Sequence, residues 1–84
     1  MNNTRTALIK ILNLMIPKKY PQISNIRVDD NYGLNDKLYF KVYLPVKYGE
    51  DNFDHDDVRD DVREYAKYVL GKNESVDMVL FVQP

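Results

Sequence analysis

Apolar and polar residues alternate along residues 37–46 more clearly than anywhere else in the chain. Successive side chains of a β-strand point to opposite faces, so this pattern predicts a strand with one buried face. The buried face would carry Leu38, Phe40, Val42 and Leu44, and the opposite face would carry Lys37, Tyr39, Lys41 and Tyr43. Two tyrosines and two lysines on one strand face indicate a binding surface or a covered interface.

Apolar residues recur with helical spacing in two stretches of the chain. The first predicts a helix over residues 5–16, because Pro17 lacks an amide and disfavours the helical conformation of the residue before it. The second predicts a helix over residues 55–70. Free amides and the helix dipole favour carboxylates at a helix start. The start of the second helix carries Asp54, Asp56 and Asp57.

Two further strands are predicted over residues 23–28 and 76–82, with a turn over residues 29–36 that is rich in Asp, Asn and Gly. The first strand would place Ser24, Ile26 and Val28 on one face and Ile23, Asn25 and Arg27 on the other. The last would place Val76, Met78, Leu80 and Val82 on one face and Asp77, Val79 and Phe81 on the other.

The predicted element order is therefore α-β-β-α-β in a single domain that spans residues 1–84. Each helix has an apolar stripe, so both helices are expected to pack on one face of a three-stranded mixed sheet. The fold class is α+β, and the domain is small and two-layered. The other face of the sheet would then have no cover from the chain itself.

The net charge of −1 conceals a strong polarity along the chain. Residues 1–28 carry five cations and no carboxylate, whereas residues 29–84 carry seven cations and thirteen carboxylates. This polarity suits head-to-tail association or a charged partner, or it coats two solvated faces. No apolar run approaches the roughly 20 residues that span a bilayer, and no cleavage site follows the apolar start. We therefore expect no membrane partner and no signal peptide.

Groups that could carry chemistry are few. The chain has no cysteine, one histidine, His55, and two serines, and no nucleophile-elbow glycine pattern surrounds either serine. The aspartates near His55 do not follow the calcium-loop pattern. Isolated glycines exclude the phosphate-binding loops of nucleotide enzymes. The sequence thus predicts no catalytic residue, no metal site and no cofactor.

The uncovered sheet face is the predicted functional surface. Tyrosine, phenylalanine and arginine are enriched at protein interfaces, and apolar residues on an open face favour a covered state. The predicted interface residues are Ile23, Arg27, Tyr39, Lys41, Tyr43, Val79 and Phe81.

These observations predict a non-enzymatic protein–protein interaction or assembly domain, a subunit of a homo-oligomer or larger complex, such as a small phage-like structural protein. Its partner would be itself or another protein, in the cytoplasm or in a virus-like particle. One alternative is a domain that binds single-stranded nucleic acid on the same face, because bases stack on aromatic residues beside cations. Overall acidity disfavours it. A more distant alternative is a metal-binding or hydrolytic protein built around His55.

Overall fold

A computed structural model describes residues 3–29 and 32–83 and confirms the α+β class. Its elements are α1 (Asn3–Lys19), β1 (Arg27–Val28), β2 (Tyr32–Leu34), β3 (Lys37–Pro45), α2 (His55–Ala66) and β4 (Glu74–Val82). The order is α-β-β-β-α-β, so the sheet has four strands and not the predicted three. The additional strand is β2, which lies inside the predicted turn.

Strand β3 is the centre of the sheet. Its second half pairs with β1 and its first half with β2, both antiparallel. Strand β4 runs parallel to β3 along its other edge, from Glu74 opposite Leu38 to Val82 opposite Pro45. Because β1 and β2 share one edge of β3, the sheet is only three strands wide and mixed.

The core lies between β3 and the two helices. Phe40, Val42 and Leu44 of β3 are fully buried, as the alternation predicted, whereas Leu38, predicted for the same face, is 36% exposed near the start of the strand. Each helix contributes three buried residues at helical spacing: Leu8, Leu12 and Ile16 from α1, and Val58, Val62 and Ala66 from α2. Fully burying one large apolar side chain stabilises a fold by about 1.5–3 kcal/mol, so this layer holds the helices on one side of the sheet.

Helix α1 does not end before Pro17, contrary to the prediction. It continues to Lys19, with Pro17 inside it. The amide of Tyr20 still donates to the carbonyl of Ile16 at 2.8 Å. A proline removes one helical hydrogen bond, and burial of Ile16 together with the hydrogen bonds of Lys19 and Tyr20 to Asp61 stabilises this last turn. Helix α2 is shorter than predicted and ends at Ala66.

The predicted strand over residues 23–28 is interrupted at Asn25. Asn25 has a φ of 56°, in the left-handed region that asparagine tolerates better than most residues. Only Arg27 and Val28 form β1, and Ile23 makes a single bridge to Val46. The turn at Asn25 changes the side to which the preceding side chains point. Ile23 therefore lies in the core, with an exposed fraction of 0%. Its predicted position on the open face is wrong.

Strand β4 contains a bulge that changes which residues face the helices. Phe40 pairs with Val76 but Lys41 pairs with Met78, so Asp77 is the extra residue. Beyond the bulge, Val79 pairs with Val42 and shares its buried face, and Val79 is only 4% exposed. One inserted residue shifts the alternation of side chains by one position. The faces predicted for residues 78–82 are therefore wrong, because Val79 and Phe81 face the helices and Met78 faces away from them.

Side chains from both helices bond to the backbone of outer strand segments. Asn13 of α1 accepts from the amide of Ile26 at 2.9 Å and donates to its carbonyl at 3.0 Å. Arg5 donates to the carbonyl of Val28 at 2.9 Å. On the opposite edge, Arg59 of α2 donates to the carbonyl of Val79 at 3.5 Å. An open strand edge is a template for pairing with another chain. The contacts of Asn13 and Arg5 occupy the β1 edge, and one contact and the bulge interrupt the nine-residue edge of β4.

A polar cluster joins the end of α1 to α2. The Asp61 carboxylate accepts from Lys19 Nζ at 2.8 Å and from the Tyr20 hydroxyl at 2.6 Å. Partial burial by itself raises the pKa of Asp61, but the two hydrogen bonds outweigh it and hold that pKa below its usual value. The same hydrogen bond to Asp61 raises the pKa of Lys19 to about 12.

The first turn of α2 is capped by Asp54 alone among the three aspartates. Its carboxylate accepts from the amides of Asp56 at 2.8 Å and Asp57 at 3.3 Å. Asp54→Ala should therefore lower the free energy of unfolding by roughly 0.5–2 kcal/mol, measured by urea denaturation. Asp54→Ser should retain most of the stability, and Asp56→Ala should change it little. Equal losses in Asp54→Ala and Asp56→Ala would contradict the cap.

The cluster at Asp61 predicts a pH-dependent contribution to stability. A carboxylate whose pKa is lowered by folding stabilises the fold above its unfolded pKa, near 3.8, and this contribution disappears as the pH falls through the folded pKa. Asp61→Asn should lower the free energy of unfolding at pH 7 by roughly 1–2 kcal/mol. The difference from the unaltered protein should shrink below about pH 4. Asp60→Asn, on the exposed side of α2, is the matched control. A difference that is constant from pH 7 to pH 3 would exclude this linkage.

Candidate interface on the open face of the sheet

We call the side of the sheet away from both helices the open face. Strand register places residues there, because paired residues share a face of a sheet. Tyr32 is opposite Tyr39, Arg27 and Leu80 are both opposite Tyr43, and Met78 is opposite Lys41. The open face therefore consists of Arg27, Tyr32, Leu34, Lys37, Tyr39, Lys41, Tyr43, Pro45, Ser75, Met78, Leu80 and Val82, with Asp29 and Asp77 at its margins.

Two of the tyrosines form a stack between lysines. The rings of Tyr32 and Tyr39 are 5.4 Å apart and inclined by 24°. Lys41 Nζ lies 5.6 Å from the centre of the Tyr32 ring, and Lys37 Nζ lies 5.6 Å from the centre of the Tyr39 ring. Ammonium groups are attracted to the faces of aromatic rings, by about 0.5–1 kcal/mol at exposed sites. The four side chains thus hold one another in a defined arrangement.

Carboxylates hold two of the tyrosine hydroxyls. The Tyr43 hydroxyl donates to Asp29 at 3.1 Å, and the Tyr32 hydroxyl donates to the Asp77 carboxylate. In both tyrosines this hydrogen bond is the main cause of a raised pKa, so the hydroxyls stay protonated donors well above neutral pH. The guanidinium of Arg27 lies 6.0 Å from the centre of the Tyr43 ring. The tyrosines are therefore oriented before any partner arrives.

The structure brings four of the seven predicted interface residues together and places three elsewhere. Arg27, Tyr39, Lys41 and Tyr43 lie on the open face. Ile23 and Val79 are in the core, and Phe81 packs on the helix side. Among the residues of the open face, the prediction also missed Tyr32, Leu34, Met78 and Leu80. Only the alternation of Tyr32 and Leu34 around Gly33 could have indicated that the turn contains a strand.

Phe81 belongs to an aromatic group at the start of α2. Its ring stacks on the ring of His55 with centroids 4.3 Å apart, and the Arg59 guanidinium lies 5.0 Å from its centre. Phe53 lies 5.2 Å from His55. This group explains why Phe81 is half-buried: the bulge turns it towards α2, where aromatic and cationic partners cover it.

His55 lies beside a cleft of about 460 Å³ at the ends of β3 and β4. Its Nε2 is 4.0 Å from the Asp51 carboxylate. Ser75 lies six positions before Phe81 on β4, which places it about 20 Å away along the strand. The structure therefore does not bring Ser75 to the imidazole.

The described residues contain no cluster suited to a metal ion, since no group of three His, Cys, Asp or Glu side chains converges in residues 3–29 and 32–83. Within the same residues, neither helix has the length and apolar content needed to cross a membrane.

Comparison with known proteins gives no relative. No family model matches the chain, and no curated protein and no solved structure is significantly similar to it.

Proposed function

We propose that the protein is a non-enzymatic interaction or assembly domain that contacts its partner through the open face. The observation that carries the proposal is the fixed array of Tyr32, Tyr39 and Tyr43 beside exposed Met78. Tyrosines and arginines dominate binding energy at protein interfaces, and rigid aromatic side chains lose little entropy on binding. A face whose aromatic side chains are already oriented suits binding to a partner protein.

The side-chain contacts at the sheet edges favour a partner that binds the open face over a partner that adds a strand to the sheet. Asn13 and Arg5 bond to the outer backbone at Ile26 and Val28, and Arg59 bonds to β4. Strand β2 is only three residues long. A partner strand would have to displace these contacts before it could pair. The open face needs no such rearrangement.

Single-stranded nucleic acid is the second candidate, because aromatic rings and cations share the open face. Three details favour protein over nucleic acid. Lys37 and Lys41 lie over the rings on which bases would stack. Asp29 and Asp77 put carboxylates where phosphates would approach. Few cations are then left to gain affinity through counterion release.

The size of the chain and its lack of recognisable catalytic groups suit a structural or assembly protein, for example in a phage-like particle or the cytoplasm. The partner in this proposal is a second copy of the chain or another protein. A homo-oligomer is the form that is tested most directly, because it needs no second component.

Replacing Tyr39 and Met78 with Asp should weaken association through the open face. Both side chains reach solvent, so the fold should survive, while two buried carboxylates would be costly in an interface. We expect the average mass in solution, measured by sedimentation at one concentration, to fall at least about twofold. Tyr68→Ser, at a tyrosine that is 74% exposed beyond the open face, is the control. The proposal fails if the unaltered protein is a monomer without a partner, or if the double variant keeps its mass.

Binding to oligonucleotides should be weak. We expect no salt-sensitive association with single-stranded DNA or RNA at or below about 1 μM, measured by fluorescence anisotropy of a labelled oligonucleotide. Tight binding that is lost in Tyr39→Ala with Tyr43→Ala would favour the nucleic-acid function. Asp77→Asn is an informative companion, because removing a carboxylate should strengthen binding only if phosphates approach this face.

A further inference from the structure

The two ends of the parallel pair β3–β4 differ in shape and charge. At the carboxyl end, the loop after β3 forms a turn in which the amide of Glu50 donates to the carbonyl of Lys47 at 3.0 Å, and Gly49 has a φ of 81°. A positive φ at the third residue is the mark of a type II turn, which places Tyr48 at its tip. Tyr48 is 88% exposed, more than any other large hydrophobic residue in the described part of the chain. We call this turn the knob.

Carboxylates outnumber cations in the segment that contains the knob. Glu50 closes the turn and Asp51 follows it, and the exposed Asp56 and Asp57 lie at the start of α2, where Asp56 pairs with Arg59 at 3.3 Å. Lys47 is the only cation between residues 47 and 57. The carboxyl end of the parallel pair thus presents one exposed aromatic ring in a setting of net negative charge, even with Asp56 paired to Arg59.

The opposite end has a pocket of about 360 Å³ between the end of α2 and the start of β4. Ala66 and Val76 are buried in its wall and half-buried Leu70 joins them, so the floor is apolar. Arg63, Lys67 and Lys72 also line the pocket. Its volume is at the small end of the roughly 300–1,000 Å³ of ligand pockets, a size for one large side chain rather than a dinucleotide. We call this pocket the hole.

Of the three cations of the hole, Lys67 is paired with a carboxylate, and Arg63 and Lys72 are not, among the residues that the structure describes. Lys67 pairs with Glu64 at 3.1 Å, and the Glu74 carboxylate accepts from the amide of Gly71 at 2.7 Å. Arg63 and Lys72 make no ion pair with any residue between 3 and 29 or 32 and 83. An apolar floor beneath unpaired cations matches an aromatic side chain flanked by carboxylates.

We propose that the knob of one copy of this chain inserts into the hole of the next, joining copies head to tail. The two sites cannot meet within one molecule, because they lie at opposite ends of the nine-residue strand β4, about 25 Å apart. The contact is heterologous, so it generates a ring or an open filament. It uses the two ends of the sheet and not the tyrosines of the open face, and it does not depend on the function proposed above.

The test uses the full chain with Tyr39→Asp and Met78→Asp, so that association through the open face does not contribute. We expect this protein to form species whose mass rises with concentration and falls at high salt, because the contact is partly ionic. Adding Tyr48→Ser should remove the knob, and adding Arg63→Glu with Lys72→Glu should remove the charge of the hole. Each should weaken association at least about tenfold. Leu14→Ser, at a 58% exposed residue on α1, should change nothing.

Mixing the two variants distinguishes a head-to-tail contact from a symmetric one. The Tyr48→Ser protein keeps an intact hole, and the Arg63→Glu, Lys72→Glu protein keeps an intact knob. Their mixture should therefore form a 1:1 dimer of twice the 9.9 kDa chain mass, although each variant alone is a monomer. A mixture that stays monomeric, a parent that does not associate at about 1 mM, or a Tyr48→Ser protein with unchanged mass overturns the proposal. Retained circular dichroism confirms that each variant is folded.

Discussion

Burial of one face of β3 is the constraint on which the other features depend. Phe40, Val42 and Leu44 are fully covered by the helices, and every other strand pairs with β3. Because side chains alternate strictly, fixing these three inward forces the residues between them outward. Lys41 and Tyr43 on the open face are thus a direct consequence of the core, and removing them from that face would require a change of register.

The bulge in β4 allows two residues that a regular strand would place on opposite faces to lie in the core together. Val76 and Val79 both face the core although they are three positions apart, which a regular strand does not allow. The inserted residue, Asp77, reaches the hydroxyl of Tyr32 across the open face. The same irregularity therefore completes the core, turns Phe81 towards α2, and places a carboxylate that orients a tyrosine. The open face remains partly apolar because Met78 and Leu80 replace Val79 and Phe81 there.

Local patterns in the sequence predicted what local physics determines. Both helices, the buried face of β3 and the acidic start of α2 follow from periodicity and capping, which involve residues close in the chain. The bulge does not, because residues 79–82 are all apolar and show no alternation that would reveal a register. The turn at Asn25 was hidden for a related reason: asparagine occurs in strands and turns, and only pairing with β3 decides between them. The hole is invisible in sequence, since it depends on the end of α2 and the start of β4 coming together, whereas the knob is a local turn whose exposure only the structure shows.

The helices also determine the directions in which the domain can associate. Asn13, Arg5 and Arg59 use long or branched polar side chains to reach over the sheet and bond to its outer backbone. Such contacts make sideways growth of the sheet costly, and uncontrolled strand pairing is the usual hazard of a small sheet with exposed edges. Apart from the outer surfaces of the helices, the accessible parts of the domain are the open face and the two ends of the sheet, where the knob and the hole lie. These directions are at right angles, so contacts of both kinds can form on one molecule without steric competition. A face-to-face pair that also extends head to tail would form a double filament, whereas either contact alone gives a dimer, a ring or a single filament.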